Sequence, residues 1–305
     1  MRLRGTIFLL LAAFLWGTTF VAQMNGMDHL GPFTYAASRY FLGFCSLLLL
    51  LYAYRKPRQT AKRAGTYEPG WKAGFQAGCI MFVATSLQQV AMLYTTAGKT
   101  AFITCLYIIM VPIASVLLGK KIKGENWLGA FLALTGLYFL SIRGDFSLSF
   151  GDSLVLISAM FWTAHILFIG RFASRVDAIE LSAAQVGVCT LFSLFAALAL
   201  EEIQWNAIRS AAFPIFYGGV MSAGVAFTLQ IIGQKYAEPS HAAILMSFEA
   251  IFGALASWLL LGEVMSGMEI LGCILMASGM MITQIGDINV SFLSRKKGFR
   301  KNSRI

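Results

Sequence analysis

Two ionisable side chains stand inside long apolar stretches, Glu249 near the middle of one and Arg39 within another. A lone carboxyl in such surroundings can exchange a proton or hold an amine. It can equally lock two helices together by a hydrogen bond, and both readings of Glu249 stay open. The Arg39 guanidinium has a planar fork that suits a carboxylate or orients neighbouring helices, and either role is sensitive to replacement by Lys. Gln88, Gln89, Gln185 and Gln230 add uncharged donors and acceptors that can hold a polar solute without the cost of a buried ion, or bond helix to helix. Trp16 and Trp162 fall near the centres of their apolar runs, away from the interfacial belts where Trp is enriched, and each offers a flat wall with one N–H donor. His165 follows Trp162 by one helical turn on the same face, as a packing residue or a relay. The expectation is a polar cavity for substrate binding and translocation formed by Trp16, Gln88, Trp162, His165, Gln230 and Glu249. Glu249 is the candidate coupling group, and Arg39 and Gln185 are carboxylate contacts or structural residues.

The elements that must carry these groups follow from composition. Of 305 residues, 58% are hydrophobic and 12% charged, well above the ~45–50% apolar content of soluble domains. The net charge of +10 lies in short segments between apolar runs, so it reads as membrane topology and not as a nucleic-acid surface. Ten runs near the ~20 residues needed to cross a bilayer span about 4–24, 32–54, 72–94, 98–118, 124–143, 151–172, 178–199, 211–235, 241–261 and 266–286. Backbone polar groups have no water at that depth, and runs this long and uniform are helices. The fold class expected is therefore an all-α integral membrane protein. Twenty of the 24 Lys and Arg residues collect on one side if the N-terminus is inside, with only Lys99, Arg143 and Arg209 outside, so both termini are expected in the cytoplasm. Cys45, Cys79, Cys105, Cys189 and Cys273 sit in separate apolar runs and read as small hydrophobes.

The chain repeats itself. A shift of 146 places Gly5 on Gly151, Trp16 on Trp162 and Arg39 on Gln185; a shift of 142 places Gln88 on Gln230 and Tyr94 on Tyr236; a shift of 143 places Gly129 on Gly272 and Gly136 on Gly279. Five helices per copy, an odd number, make the two copies inverted in the membrane, an arrangement common in secondary transporters. The first run then matches the sixth and is expected to be a retained helix and not a cleaved leader. Gly129, Gly136, Gly272 and Gly279 mark close helix approach, with a scaffold or dimer-facing role. Gly218, Gly219 and Gly224 make the eighth run the candidate gating helix.

These features resemble the drug/metabolite transporter superfamily, specifically its EamA-type members. The resemblance is carried by Ala12-Ala13-Phe14-Leu15-Trp16-Gly17, by Pro32 and Arg39, and by Ala91, Tyr94-Thr95-Thr96-Ala97 and Ala101. In the second copy it is carried by Trp162, Tyr236-Ala237-Glu238-Pro239, Ala242-Ala243, Phe248-Glu249-Ala250, Trp258 to Glu263, and Gly272 with Gly279. The chain departs from the family pattern at Ala250, often Pro, and at Lys120, often Glu. The resemblance implies transport of amino acids, related metabolites or toxic organic solutes. The resulting expectation is a multi-pass carrier of the plasma or inner membrane that moves an amino-acid-like solute by alternating access, with proton-coupled efflux as one form. The first five-helix repeat covers 1–143, the second 151–286, and a basic tail over 287–305 lies against anionic lipid. A passive channel or facilitator is the alternative, and a homodimer is left open. An intramembrane enzyme is remote, because no paired aspartates, zinc-ligand spacing or G-x-S-x-G is present. No Walker A sequence is present, and no cofactor is expected.

Overall fold

The structure, a computed structural model, describes residues 2–63, 65, 67–95, 97–141, 149–261 and 265–283. The helices are α1 (Arg2–Met27), α2 (Pro32–Ala53), α3 (Arg55–Arg63), α4 (Trp71–Ala91), α5 (Ala97–Thr104), α6 (Tyr107–Leu117), α7 (Gly124–Ser141), α8 (Phe150–Phe172) and α9 (Ala178–Leu200). After them come α10 (Trp205–Ser210), α11 (Ala212–Phe216), a π-helix (Tyr217–Ala226), α12 (Phe227–Gln234), α13 (Pro239–Met246), α14 (Glu249–Leu261) and α15 (Gly267–Thr283). Among the described residues there is no strand, only an isolated bridge between Glu68 and Val176.

Among the described residues, seven stretches are long and apolar enough to cross a membrane: Leu3–Met27, Pro32–Ala53, Lys99–Leu117, Phe150–Phe172, Ala178–Leu200, Ala212–Gln234 and Pro239–Ala256. Three of the ten expected runs are not among these seven, the last of them described only to Thr283. Polar Lys72, Gln76, Gln88 and Gln89 dilute α4, the Gly-Glu-Asn start of α7 shortens its apolar part, and α15 is a shorter apolar helix. Large apolar side chains such as Leu49, Leu117, Phe131, Leu198 and Phe213 stand exposed on the outside of the bundle. Lipid tolerates such a surface and water does not. The tail over 287–305 and Arg143 lie outside the described residues.

The helices pack in two matching sets. α4 packs on α8 and α9, and its counterpart, the π-helix with α12, packs on α1 and α2; α6 packs on α8 as α14 packs on α1. α2 and α9, equivalent by the repeat, pack on each other at the centre. Individual contacts obey the same relation. A Cβ on Gly5 would press on Tyr236 and the Gly233 carbonyl, and one on Gly151 would press on Tyr94 and the Ala91 carbonyl. The seven-spaced glycines meet within the chain, Gly129 against Gly279 and Gly136 against Gly272, so α7 and α15 close on each other. These four glycines therefore serve helix packing within the chain.

Charged groups fasten the ends of the bundle. Asp177 caps α9 by accepting from Ile179 N and Glu180 N, both at 3.0 Å. Arg58 of α3 then bridges Asp177 at 2.7 Å and Glu180 at 2.6 Å. At the other end, Glu201 accepts from Phe33 N at 2.8 Å and Thr34 N at 2.7 Å, holding the start of α2. Arg58 is 16% exposed, between the exposed pairs that contribute little and the buried ones whose breaking is costly. Arg58→Ala is therefore expected to lower stability by about 1–3 kcal/mol, read as a lower melting temperature in detergent. Arg58→Lys recovers only part, because a single ammonium cannot span both carboxylates; an unchanged melting temperature in both variants would make the pair ornamental.

Candidate functional site

The two halves meet at interruptions in equivalent helices. α5 ends at Thr104 and α6 begins at Tyr107; α13 ends at Met246 and α14 begins at Glu249. Both breaks tighten into i→i−3 bonds, Leu106 N to Ile103 O at 3.2 Å and Ile108 N to Cys105 O at 3.0 Å in the first, Phe248 N to Leu245 O at 3.4 Å and Ala250 N to Ser247 O at 3.1 Å in the second. Applying the 142 shift here places Tyr107 on Glu249. The two side chains bond to each other: Tyr107 O–H donates to Glu249 Oε1 at 3.1 Å, and Cys105 S–H donates to the same oxygen at 3.4 Å. A carboxyl from one repeat and a phenol from the other thus occupy one symmetric position.

Around them lies a cavity with room for the centres of water-sized groups amounting to about 70 Å³. Trp16, Gln88, Arg39, Trp162, Gln230 and Glu249 all line it, so most of the sequence-selected residues come together from α1, α2, α4, α8, α12 and α14. Phe227 stands between the indoles, 5.1 Å from the Trp16 ring edge to face and 6.2 Å from the Trp162 ring in a stack. Trp162 Nε1–H donates to Gln88 Oε1 at 3.0 Å. Arg39 is 5% exposed; its guanidinium lies 4.6 Å from the Tyr40 ring centre and 5.5 Å from that of Tyr35, and Nη2 donates to Tyr40 Oη at 3.0 Å. These two aromatic faces lower the cost of holding the cation at depth, while Arg39 Nε has no partner.

His165 departs from the expectation of a cavity-lining residue, and Gln185 takes the structural one of its two expected roles. His165 is fully buried behind Trp162 and Phe227, 5.7 and 6.2 Å from their rings, and bonds Gln185 Oε1 at 3.0 Å through Nε2. Neither residue is on the cavity wall. One helical turn after Trp162 keeps the imidazole on the Trp face, but the neighbouring α9 supplies a carboxamide that takes it out of the cavity. Gln89 is likewise turned away and reaches Met27 Sδ. Tyr107, Tyr40, Thr85, Thr104, Ser222 and Phe227 line the cavity beyond those expected from residue type alone. The 142 shift that pairs Gln88 with Gln230 also pairs Thr85 with Phe227, Thr104 with Met246 and Tyr107 with Glu249, all on the wall, so the repeat held the signal for several of them.

The profile of the EamA-like transporter family matches the chain twice, over residues 3–142 and 149–284. The chain belongs to the EamA-like transporter family. The EamA halves so matched are the two helix sets described above, and the protein is a multi-pass membrane protein of transmembrane transport. Among EamA relatives, an uncharacterized transporter of Archaeoglobus fulgidus is 28% identical over 288 residues, covering 93% of this chain and 87% of its own length. The uncharacterized transporter YoaV of Bacillus subtilis is 24% identical over 296 residues, covering 93% and 95%. A solved structure described only as "Crystal structure of protein" superposes with a TM-score of 0.79 at 18% identity over 95% of this chain and 99% of that one, a likeness of fold.

Proposed function

We propose that the protein is a secondary transporter of ten transmembrane helices in two inverted halves, both termini cytoplasmic, that moves an amino-acid-like solute across the cell membrane by alternating access. The observation that carries this reading is the meeting of Tyr107 and Glu249, symmetry mates at helix breaks, on the wall of a cavity shared by both halves. Discontinuous helices crossing at a repeat interface are where secondary carriers bind solute and coupling ion. Both bonds to Glu249 fall on Oε1, which leaves Oε2 for an ammonium group or a proton. Arg39, with Nε unpaired, takes the solute carboxylate, and Trp16, Trp162 and Phe227 supply apolar walls for its side chain. Arg55 and Lys56, exposed on α3, and the positive charge of the sequence from Arg295 are suited to anionic lipid at the cytoplasmic face.

Uptake by proteoliposomes of a labelled amino-acid panel, each member compared with its decarboxylated amine and its deaminated acid, tests the solute class. Zwitterions are expected to be carried and to be displaced poorly by either fragment. Equal uptake of the amine or the acid would remove Arg39 or Glu249, respectively, from solute binding.

A further inference from the structure

The cavity wall carries two copies of one indole–carboxamide pair, Trp162 with Gln88 and Trp16 with Gln230. They are in different states. Trp162 Nε1–H donates to Gln88 Oε1 at 3.0 Å, whereas the equivalent donor and acceptor, Trp16 Nε1 and Gln230 Oε1, are both buried and without a partner. Gln230 is 2% exposed, so water at the protein surface does not serve it. Leaving both groups unpaired is unfavourable unless something else in the cavity, or another state of the chain, satisfies them.

Helix geometry differs at the same place. The helix that carries Gln88 is α throughout Trp71–Ala91. The one that carries Gln230 contains the π-helix Tyr217–Ala226, which ends four residues before Gln230. A π turn accommodates an extra residue, so the α-helix beyond it is rotated by about one residue's share of a turn, ~100°. Gly218, Gly219 and Gly224 lie inside this segment, against Arg39, Gly43 and Ser46 of α2. Phe227, the first residue after it, stands between the two indoles, where the other half has only Thr85.

We propose that the two pairs are alternative latches of the transport cycle, one closed in each state, and that the open pair is the one that binds the solute. In the state seen here Trp162–Gln88 is closed, and Trp16 and Gln230 are open. In the opposite state the π-helix relaxes to α, Gln230 turns onto Trp16, and the Trp162–Gln88 bond is released. Because the pairs are symmetry mates, exchanging one bond for the other leaves the two states close in energy, as a carrier requires. The open pair presents one N–H donor and one C=O acceptor, so the solute must itself offer an acceptor beside an N–H or O–H donor. This inference rests on the alternating-access reading proposed for the protein.

Amide hydrogen exchange of the full chain in lipid nanodiscs tests it without any solute. Trp162→Phe keeps a ring but removes the donor of the closed bond. Exchange over Tyr217–Ala226 is expected to slow by about three- to tenfold and exchange over Met81–Ala91 to quicken by a similar factor, the worth of one net hydrogen bond. Trp16→Phe is expected to move both segments the other way, and the double variant to return them towards wild type. Gln88→Leu and Gln230→Leu should reproduce the respective signs, which keeps the test decisive if a Trp variant does not fold. Shifts of both segments in the same direction, or none, would overturn the latch even if carrier-type flux is observed. Opposed shifts in a protein that shows no counterflow would keep the latch and remove the carrier reading.

Discussion

Glu249→Gln is expected to reduce gradient-driven accumulation in proteoliposomes strongly while leaving the protein folded. The carboxamide has nearly the volume of the carboxyl, and its oxygen can still accept from Tyr107 Oη, now 3.1 Å from Glu249 Oε1. It cannot take up or release a proton, and it cannot neutralise an ammonium. Bonds to a charged partner contribute ~1.5–3 kcal/mol, so a fall of about ten- to a hundredfold in accumulation is expected if Glu249 meets the solute amine or the coupling proton. Tyr107→Phe removes one neutral donor and is expected to cost less, about three- to tenfold, because Cys105 still donates at 3.4 Å. Accumulation unchanged by Glu249→Gln, with wild-type dependence on the proton gradient, would return the carboxyl to a helix-packing role.

The second large effect is structural. A Cβ on Gly136 would overlap the Gly272 carbonyl oxygen and lie 2.7 Å from Met276 N. Both obstacles are backbone, so no rotamer change relieves them and α7 must move off α15. Forcing extra atoms into a packed interface costs ~1–3 kcal/mol or more. Gly136→Ala is expected to lower the melting temperature clearly, and Gly136→Leu to prevent accumulation of folded protein in the membrane. Gly124→Ala is the control: a Cβ there meets nothing within 4 Å, so a change within ~0.5 kcal/mol is expected. Equal behaviour of the Gly124 and Gly136 variants in a thermal melt would show that the glycine contact between α7 and α15 is not a determinant of the fold.

The glycines show what a sequence can and cannot disclose. Their spacing of seven and their recurrence in both copies mark a close-packed face, because a period near 3.5 keeps them on one side of a helix. Which surface meets that face is a matter of tertiary arrangement, and Gly129 turns out to lie on Gly279 of the same chain. The repeat likewise brings Trp16, Gln88, Trp162 and Gln230 to one cavity, since mates of an inverted pair converge on its axis. The breaks after Thr104 and Met246 leave no mark in hydropathy. Ala97–Leu117 and Pro239–Leu261 read as continuous apolar runs, and the tight turns inside them are decided by packing at the axis. The π-helix is equally silent in composition beyond its three glycines. The direction taken by His165 depended on Gln185 reaching it from α9, a partner 20 residues away that helical periodicity does not locate.

Counterflow tests the central claim, that the Tyr107–Glu249 site serves both sides of the membrane in turn. Proteoliposomes are loaded with a high concentration of an unlabelled transported amino acid and diluted into a trace of the same labelled solute. Alternating access at a single site predicts a transient overshoot, with internal label rising above equilibrium and then decaying, since each outward passage of unlabelled solute leaves an empty site facing out to capture label. A monotonic approach to equilibrium at a rate indifferent to preloading would contradict the account and describe a passive facilitator.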